Sequence, residues 1–391
     1  MRKGWEYKKL GEVCCPKSKI QRATKCFGGS DEILYIDISS IDNSVQEVNS
    51  ITSFTMSNAP SRAQQKVEYG DIIVSTVRPN LKNVAFIKQH DSNLVVSSGF
   101  CVLRTTDDIE RNYLFRYITS DIFTQHLMKL TTGANYPAVR DLDVRDSTIP
   151  LPPKSTQIEI VSELDKINEL IRLKKEQLKD FDNLAQSLFY EMFGDPVENE
   201  MGWEVKTFGE IGSVERGAGI SKKDFVKEGL PCIHYGQLHT ILGPRTTKHF
   251  TSIPHNLLPK YKIAHTGDLV MAITSEDVEG SCKSTVWLGD YDIIVGSDAA
   301  IFHHKQDGTF LSFYTMTKAF FNEKAKYAKG FKVTHISAKE IEKIPVYLPP
   351  LSLQRLFAQR IEQIEREKSE VQKSIQDLET LLASCMQYWF E

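Results

Sequence analysis

A motor that runs on nucleotides needs a glycine frame that turns backbone N–H groups onto phosphate. The nearest approach here is Gly280-Ser281-Cys282-Lys283-Ser284, which has the Lys-Ser pair without that frame. No G-x-G-x-x-G follows an apolar run, no Asn-Pro-Pro-aromatic tetrapeptide of the kind used by amino-methylating enzymes occurs, and there is no G-x-S-x-G elbow. Glu340 and Glu342, followed by Lys343, have the residue types of a nuclease carboxylate cluster, but they lie in a polar stretch two residues before Pro345 and are read as surface charges. Eight of the ten histidines fall in the second half, His303-His304 among them. None has the i, i+4 spacing or the carboxylate company of a metal site, so each is read as solvated or singly hydrogen-bonded. Seven cysteines, with Cys14 and Cys15 adjacent and no C-x-x-C pair, give neither a disulfide framework nor a zinc site and are read as reduced, mostly buried thiols. What is left is recognition by polar side chains, and the question becomes which elements present them.

Those elements occur twice. The stretch LPPKSTQIEIVSELDKI from Leu151 is answered by LPPLSLQRLFAQRIEQI from Leu348, an offset of 197 residues that then holds without a gap to Glu391. Apolar residues at Ile160, Leu164, Ile167, Ile171, Leu178, Phe181, Ala185, Leu188 and Met192 alternate steps of four and three, except where Lys174 takes a stripe position. The second copy carries Phe357, Ile361, Ile364, Val371, Ile375, Leu378, Leu382, Cys385 and Trp389, with Lys368 as its interruption. Such spacing is a heptad seam, opened in each copy by a Pro-Pro pair. Each helix would run for about 37 residues, roughly 55 Å at 1.5 Å per residue. A domain of this size does not need a lone helix of that length to close its core, so two equal copies are expected to pack on each other.

The regions before each helix repeat more faintly. Gly4-Trp5-Glu6 is echoed by Gly202-Trp203-Glu204, GDIIVSTVRPN at Gly70 by GDLVMAITSED at Gly267, and VVSSGFCVL at Val95 by IVGSDAAIF at Ile294. Short apolar runs such as ILYIDIS, DIIVSTV and NVAFI, bounded by Gly, Asn, Asp and Pro, read as strands, while ERNYLFRYITSDIFTQHLMKL carries a helical period. Gly194-Asp195-Pro196 reads as a helix stop and linker. The chain therefore divides into 1–150, a mixed α/β module; 151–196, the first helix and linker; 197–347, a second module; and 348–391, the second helix. Net charge is −3, with acidic helices and slightly basic modules, so any polyanion contact belongs to the modules. The start, MRKGWEYKKLGEV, lacks the apolar core of a signal peptide, and no run approaches the ~20 apolar residues of a membrane span. A cytoplasmic location without membrane contact is expected.

Across nearly its whole length the chain resembles the specificity subunits of type I restriction-modification systems. TTGANYPAVRDLDVRDSTIPLPPKSTQIEIV (Thr131 to Val161) and AKGFKVTHISAKEIEKIPVYLPPLSLQRLF (Ala328 to Phe357) are similar to their module-closing segment. The Gly-Trp-Glu openings and Gly-Asp strands extend the similarity over both modules. The resemblance implies an α+β chain with a pseudo-twofold internal repeat: two mixed α/β target-recognition domains held apart by two long helices in an antiparallel coiled coil. Each domain would read one half of a bipartite site in double-stranded DNA, and the helices would dock two adenine methyltransferase subunits. This chain would be non-catalytic and carry no cofactor or metal. S-adenosylmethionine, ATP and Mg would serve partner methyltransferase and motor-nuclease subunits.

If that holds, base edges call for bidentate side chains and phosphates for cations. The first module offers Lys17, Lys19 and Arg22 in its early loop, Arg78, Asn80 and Lys82 after the Gly-Asp strand, and Asn135, Tyr136 and Arg140 in its closing loop. The second offers Arg216, Lys222 and Lys223, then His234, Tyr235 and Gln237, then Lys329, Lys332, Thr334 and His335. A different class of reading, a coiled-coil scaffold whose modules bind protein or carbohydrate, draws on the mildly acidic net charge; steep salt dependence would separate the two.

Overall fold

The computed structural model describes residues 4–133, 136–220, 222–255, 261–330 and 333–391. Two compact units divide the chain: Met1–Lys175 with Lys373–Glu391, and Glu176–Gln372. This division cuts both long helices, where the segments read from the sequence keep each helix whole.

The helices span Lys154–Phe193 and Leu351–Phe390, 40 residues each, slightly longer than the apolar stripe indicates. Each begins on the residue after Pro-Pro, because proline lacks the N–H that a preceding turn would need but fits ahead of a helix start. The first ends at Gly194, whose φ of +73° suits glycine and whose N–H closes on the Tyr190 carbonyl at 2.9 Å. In the first unit Lys175 meets Glu379 at 2.9 Å, and Glu163 accepts from Trp389 Nε1 at 3.2 Å. In the second, Lys368 meets Asp182 at 2.7 Å, and Phe189 and Phe193 pack edge-on to Phe357. Partner numbers run in opposite directions, so each unit holds an antiparallel helix pair.

The seam residues sit as the spacing requires. Ile160, Leu164, Ile167, Ile171, Leu188, Phe357, Ile361, Ile364, Val371 and Ile375 are buried, and Leu178, Phe181, Leu378, Leu382 and Trp389 are half-buried. The buried face is wider than the heptad stripe, for Val161, Phe189, Phe193 and Phe390 are also buried. The cause is a second neighbour: each helix half packs on an α/β domain as well as on its partner helix.

Each α/β domain is closed by its own ends. Glu6–Lys9 pairs antiparallel with Thr148–Leu151, Glu6 opposite Leu151, and Glu204–Thr207 pairs with Pro345–Leu348, Glu204 opposite Leu348. In the first domain a sheet ordered Thr52–Thr55, Glu32–Ile36, Leu94–Ser97, Ala63–Lys66 accompanies a second ordered Phe100–Leu103, Ile72–Ser75, Val84–Phe86. In the second domain the central sheet runs Gly212–Arg216, Ala299–His304, Leu269–Ala272, Ser284–Trp287, Arg245–Thr246. The Gly-Asp motifs are turn devices: Gly70 and Gly267 take φ of +91° and +98°, and Asp71 and Asp268 accept from the backbone N–H groups of Glu68 and His265 at 2.9 and 2.7 Å. The segment expected to be helical from Glu110 is two helices, Arg111–Thr119 and Asp121–Leu130, parted at Ser120, whose hydroxyl caps the second by accepting from Phe123 N–H.

Candidate nucleic-acid interface

In the first unit the Gly-Asp strand continues into a loop that is sewn to the closing loop. Arg78 N–H donates to Pro137 O at 2.7 Å, Val139 N–H to Thr76 O at 2.9 Å, and Thr132 and Ala138 exchange bonds at 3.0 and 3.1 Å. Two candidate sets that lie some sixty residues apart in sequence thus form one edge. The early loop joins them through Lys17, 3.4 Å from Asp141, and through Arg145, which donates to Cys15 O, Val102 O and Asp141.

The side chains on this edge differ in what remains free. Lys82 is tied to Asp121 at 2.6 Å and Arg140 to Asp143 at 2.6 Å, a bond that keeps the Asp143 carboxyl below the usual carboxylate range. Arg78 and Asn80 are exposed, and Tyr136 is 68% exposed; Lys19 and Arg22 are exposed as well, but Arg22 pairs with Gln65 beside the four-stranded sheet and not with this edge. Arg78 takes φ of +49° and lays its guanidinium 4.6 Å above the Tyr136 ring. Asn135 lies outside the described residues.

The second unit repeats the stitching. Isolated bridges Val77↔Ala138 and Thr132↔Ala138 in the first unit correspond, 197 residues on, to the pairings Thr274↔His335 and Lys329↔His335. Here two candidates prove unsuited to surface contact. Gln237 is 4% exposed because its amide is spent inside the fold, Oε1 accepting from His234 N–H at 3.1 Å and Nε2 donating to Thr251 at 3.2 Å. Thr334 is 5% exposed, a strand residue opposite Ser275. His234 stacks on Phe225, Arg216 donates to Ser297 O at 2.9 Å, and His335 lies 3.4 Å from the Thr274 hydroxyl. Tyr235, Lys223 and Lys329 are exposed, with Lys329 on Glu340. Lys332 and the side chain of Lys222 lie outside the described residues.

The motifs set aside as non-catalytic find structural roles. Glu340 binds Lys329 and caps the helix Ala338–Ile341 through Ser337, which together hold its carboxyl down at about 2. In the Gly280 loop, the Gly280 N–H is taken by Asp277. Two histidines are hydrogen-bonded to carboxylates: His303 is 2.8 Å from Asp268 and His265 is 2.8 Å from Asp292. Among the described residues no His, Cys, Asp and Glu group of three could hold a metal ion, and no helix is long and apolar enough to cross a membrane.

Three residues escaped sequence reasoning. Lys324, 4% exposed, donates to the carbonyls of Glu279 at 2.8 Å and of Ser281, and burial lowers its pKa; a lysine inside the apolar pattern KAFFNEKA was the available signal. Gln157 and Gln354 are 1% and 0% exposed. Gln157 accepts from Glu110 N–H at 2.7 Å and donates to Pro152 O at 2.8 Å, and Gln354 accepts from Asp307 N–H at 3.0 Å and donates to Pro349 O at 2.9 Å. These two pairs of backbone partners are again 197 residues apart, and Gln354 Nε2 donates in addition to Gln306 Oε1 at 3.0 Å. The glutamine after Leu-Pro-Pro is therefore the clasp between each long helix and its domain.

An α/β domain with a stitched polar edge, built twice and closed each time onto an antiparallel helix pair, defines a tandem recognition protein. Comparison with known proteins gives the class its name: the chain belongs to the type I restriction modification DNA specificity domain family, whose model matches residues 2–180 and again 200–380. Over 295 residues it is 23% identical to the type I restriction enzyme MjaVIII specificity subunit of Methanocaldococcus jannaschii, covering 69% of each chain. A chain from a solved structure concerned with complex assembly and conformational transition of the type I R-M system superposes with a TM-score of 0.68 at 26% identity, covering 99% of this chain and 97% of that one. The S subunit of a type I restriction-modification system from M. genitalium shares the fold, with a TM-score of 0.50 at 13% identity, covering 99% of this chain and 96% of that one.

Proposed function

We propose that this chain is the DNA-recognition subunit of a type I restriction-modification complex in which each domain reads one half of a bipartite duplex site. The observation that carries this is the double family match, each copy of which contains one stitched polar edge. The reading surface is assigned to Lys19, Arg22, Arg78, Asn80 and Tyr136 in the first unit and to Tyr235, Lys223 and His335 in the second, with Arg216 and His234 behind them. Lys17, Lys82, Arg140 and Lys329, already on carboxylates of their own domains, are assigned to phosphates, where a cation can exchange one anion for another.

The chain itself is read as non-catalytic. Two methyltransferase subunits would dock on the long helices, whose outward faces leave Ile158, Leu170, Leu173 and Leu381 about half exposed. Modification of adenine with S-adenosylmethionine, and cleavage driven by ATP and Mg, would belong to those subunits and to a motor-nuclease. Selection of a randomised duplex library by the full chain tests the reading. The expected result is enrichment of a motif with two specified blocks and an unspecified spacer, in binding that weakens steeply with salt. Enrichment of no motif, or binding indifferent to salt, would refute it.

A further inference from the structure

The two units give an internal comparison. Their stitched edges repeat the same backbone pairings at the 197 offset, so whatever holds the loops together must be present in both. The pairing of Val77 with Ala138 is matched by that of Thr274 with His335. The pair on top of it is not matched: Arg78 corresponds to Ser275 and Tyr136 to Val333. The stitching therefore does not require an arginine or an aromatic at these places, and the pair in the first unit serves something other than loop closure.

Its geometry indicates what. Arg78 is held at φ of +49°, a left-handed conformation that a long side chain adopts at a cost, and its N–H is fixed on Pro137 O. Its guanidinium lies 4.6 Å above the ring of Tyr136, and both residues are exposed. Among the described residues no carboxylate pairs with Arg78, in contrast to Lys17, Lys82 and Arg140 on the same edge. A guanidinium kept off carboxylates and propped by a ring retains its planar fork of donors for a ligand with two adjacent acceptors. On a duplex the base edge with that pattern is guanine, through O6 and N7 in the major groove.

We infer that Arg78, positioned by Tyr136, specifies a guanine in the half-site read by the first unit, and that the second unit, with Ser275 and Val333 in these places, reads its half-site by other means. The inference rests on the DNA-recognition reading above and goes further by assigning a base to a residue.

The test is selection of randomised duplex DNA by the full chain and by variants at these two positions. For the unsubstituted chain a guanine is expected in the first block. Arg78→Gly, which suits the left-handed backbone and so preserves the loop, should lower discrimination at that one position by about ten- to a hundredfold while leaving the second block intact. Arg78→Lys keeps the charge but not the fork and should lose most of the same discrimination. Tyr136→Phe should behave like the unsubstituted chain, and Tyr136→Ala should weaken preference at the same position. An Arg78→Gly chain that binds every sequence more weakly but with an unchanged motif would make Arg78 a phosphate contact and overturn the inference alone. Absence of any motif from the unsubstituted chain would overturn both the inference and the reading on which it rests.

Discussion

Single residues in this chain divide into those that hold and those that present, and the sequence distinguished them unevenly. Arg78, Tyr136 and Lys329 were legible as exposed polar groups because charge and aromaticity in a Gly-bounded loop leave little else for them to do. Gln237 was not, because a glutamine used as a helix cap is identical in sequence to one offered to a base edge. The clasp formed by Gln157 and Gln354 escaped for a similar reason: the partners common to both are backbone groups, which carry no sequence signal. Replacing Gln157 by Leu should cost about 1–3 kcal/mol for each backbone group left unpaired. Hydrogen exchange should locate the loss in the first unit, while Gln354→Leu places it in the second. Glu340 offers a pH test. Its carboxyl is held down chiefly by Lys329 and then by Ser337, from an ordinary 4.5 to about 2. A depressed carboxylate adds stability that is full above pH 4.5 and lost as pH falls through about 2. Glu340→Gln should thus flatten the acid limb of unfolding in that window, and an unchanged limb would assign the acid sensitivity elsewhere.

At the scale of elements, periodicity found both long helices and their seam but undercounted the buried face. Heptad reasoning asks only what one partner helix covers, whereas Phe189, Phe193 and Phe390 are covered by a domain. Phe390 lies 5.4 Å from the Tyr113 ring and 5.5 Å from that of Tyr117, 4% exposed. Phe390→Ala should therefore destabilise the first unit by about 3–5 kcal/mol, although it stands more than two hundred residues from the sheets it supports. Exchange rates resolved by peptide should rise in the first domain and stay unchanged in Leu269–Ala272; a uniform rise would contradict the division into units.

For the molecule as a whole, the repeat was the most legible feature, since an offset can be counted without knowing any contact. Less legible was that the two stitched edges keep a common frame while changing what it carries. If each edge serves its own half-site, substituting Tyr235, Lys223 and His335 by Ala together should erase the second block of the selected motif and leave the first. Equal loss in both blocks would mean that the units do not read separately.

The division of the helices also bears on how the chain is made. Residues 176–372 are contiguous and contain every part of the second unit, whereas the first unit is assembled from 1–175 and 373–391. Domains generally fold in the order in which synthesis releases them, the N-terminal one first. Here the N-terminal unit includes chain made after the other unit. During synthesis Glu163, which accepts from Trp389, and Tyr113 and Tyr117, which pack on Phe390, stay without those partners until the chain beyond the second unit is made. The first unit thus draws on chain made after the whole of the second, residues 373–391.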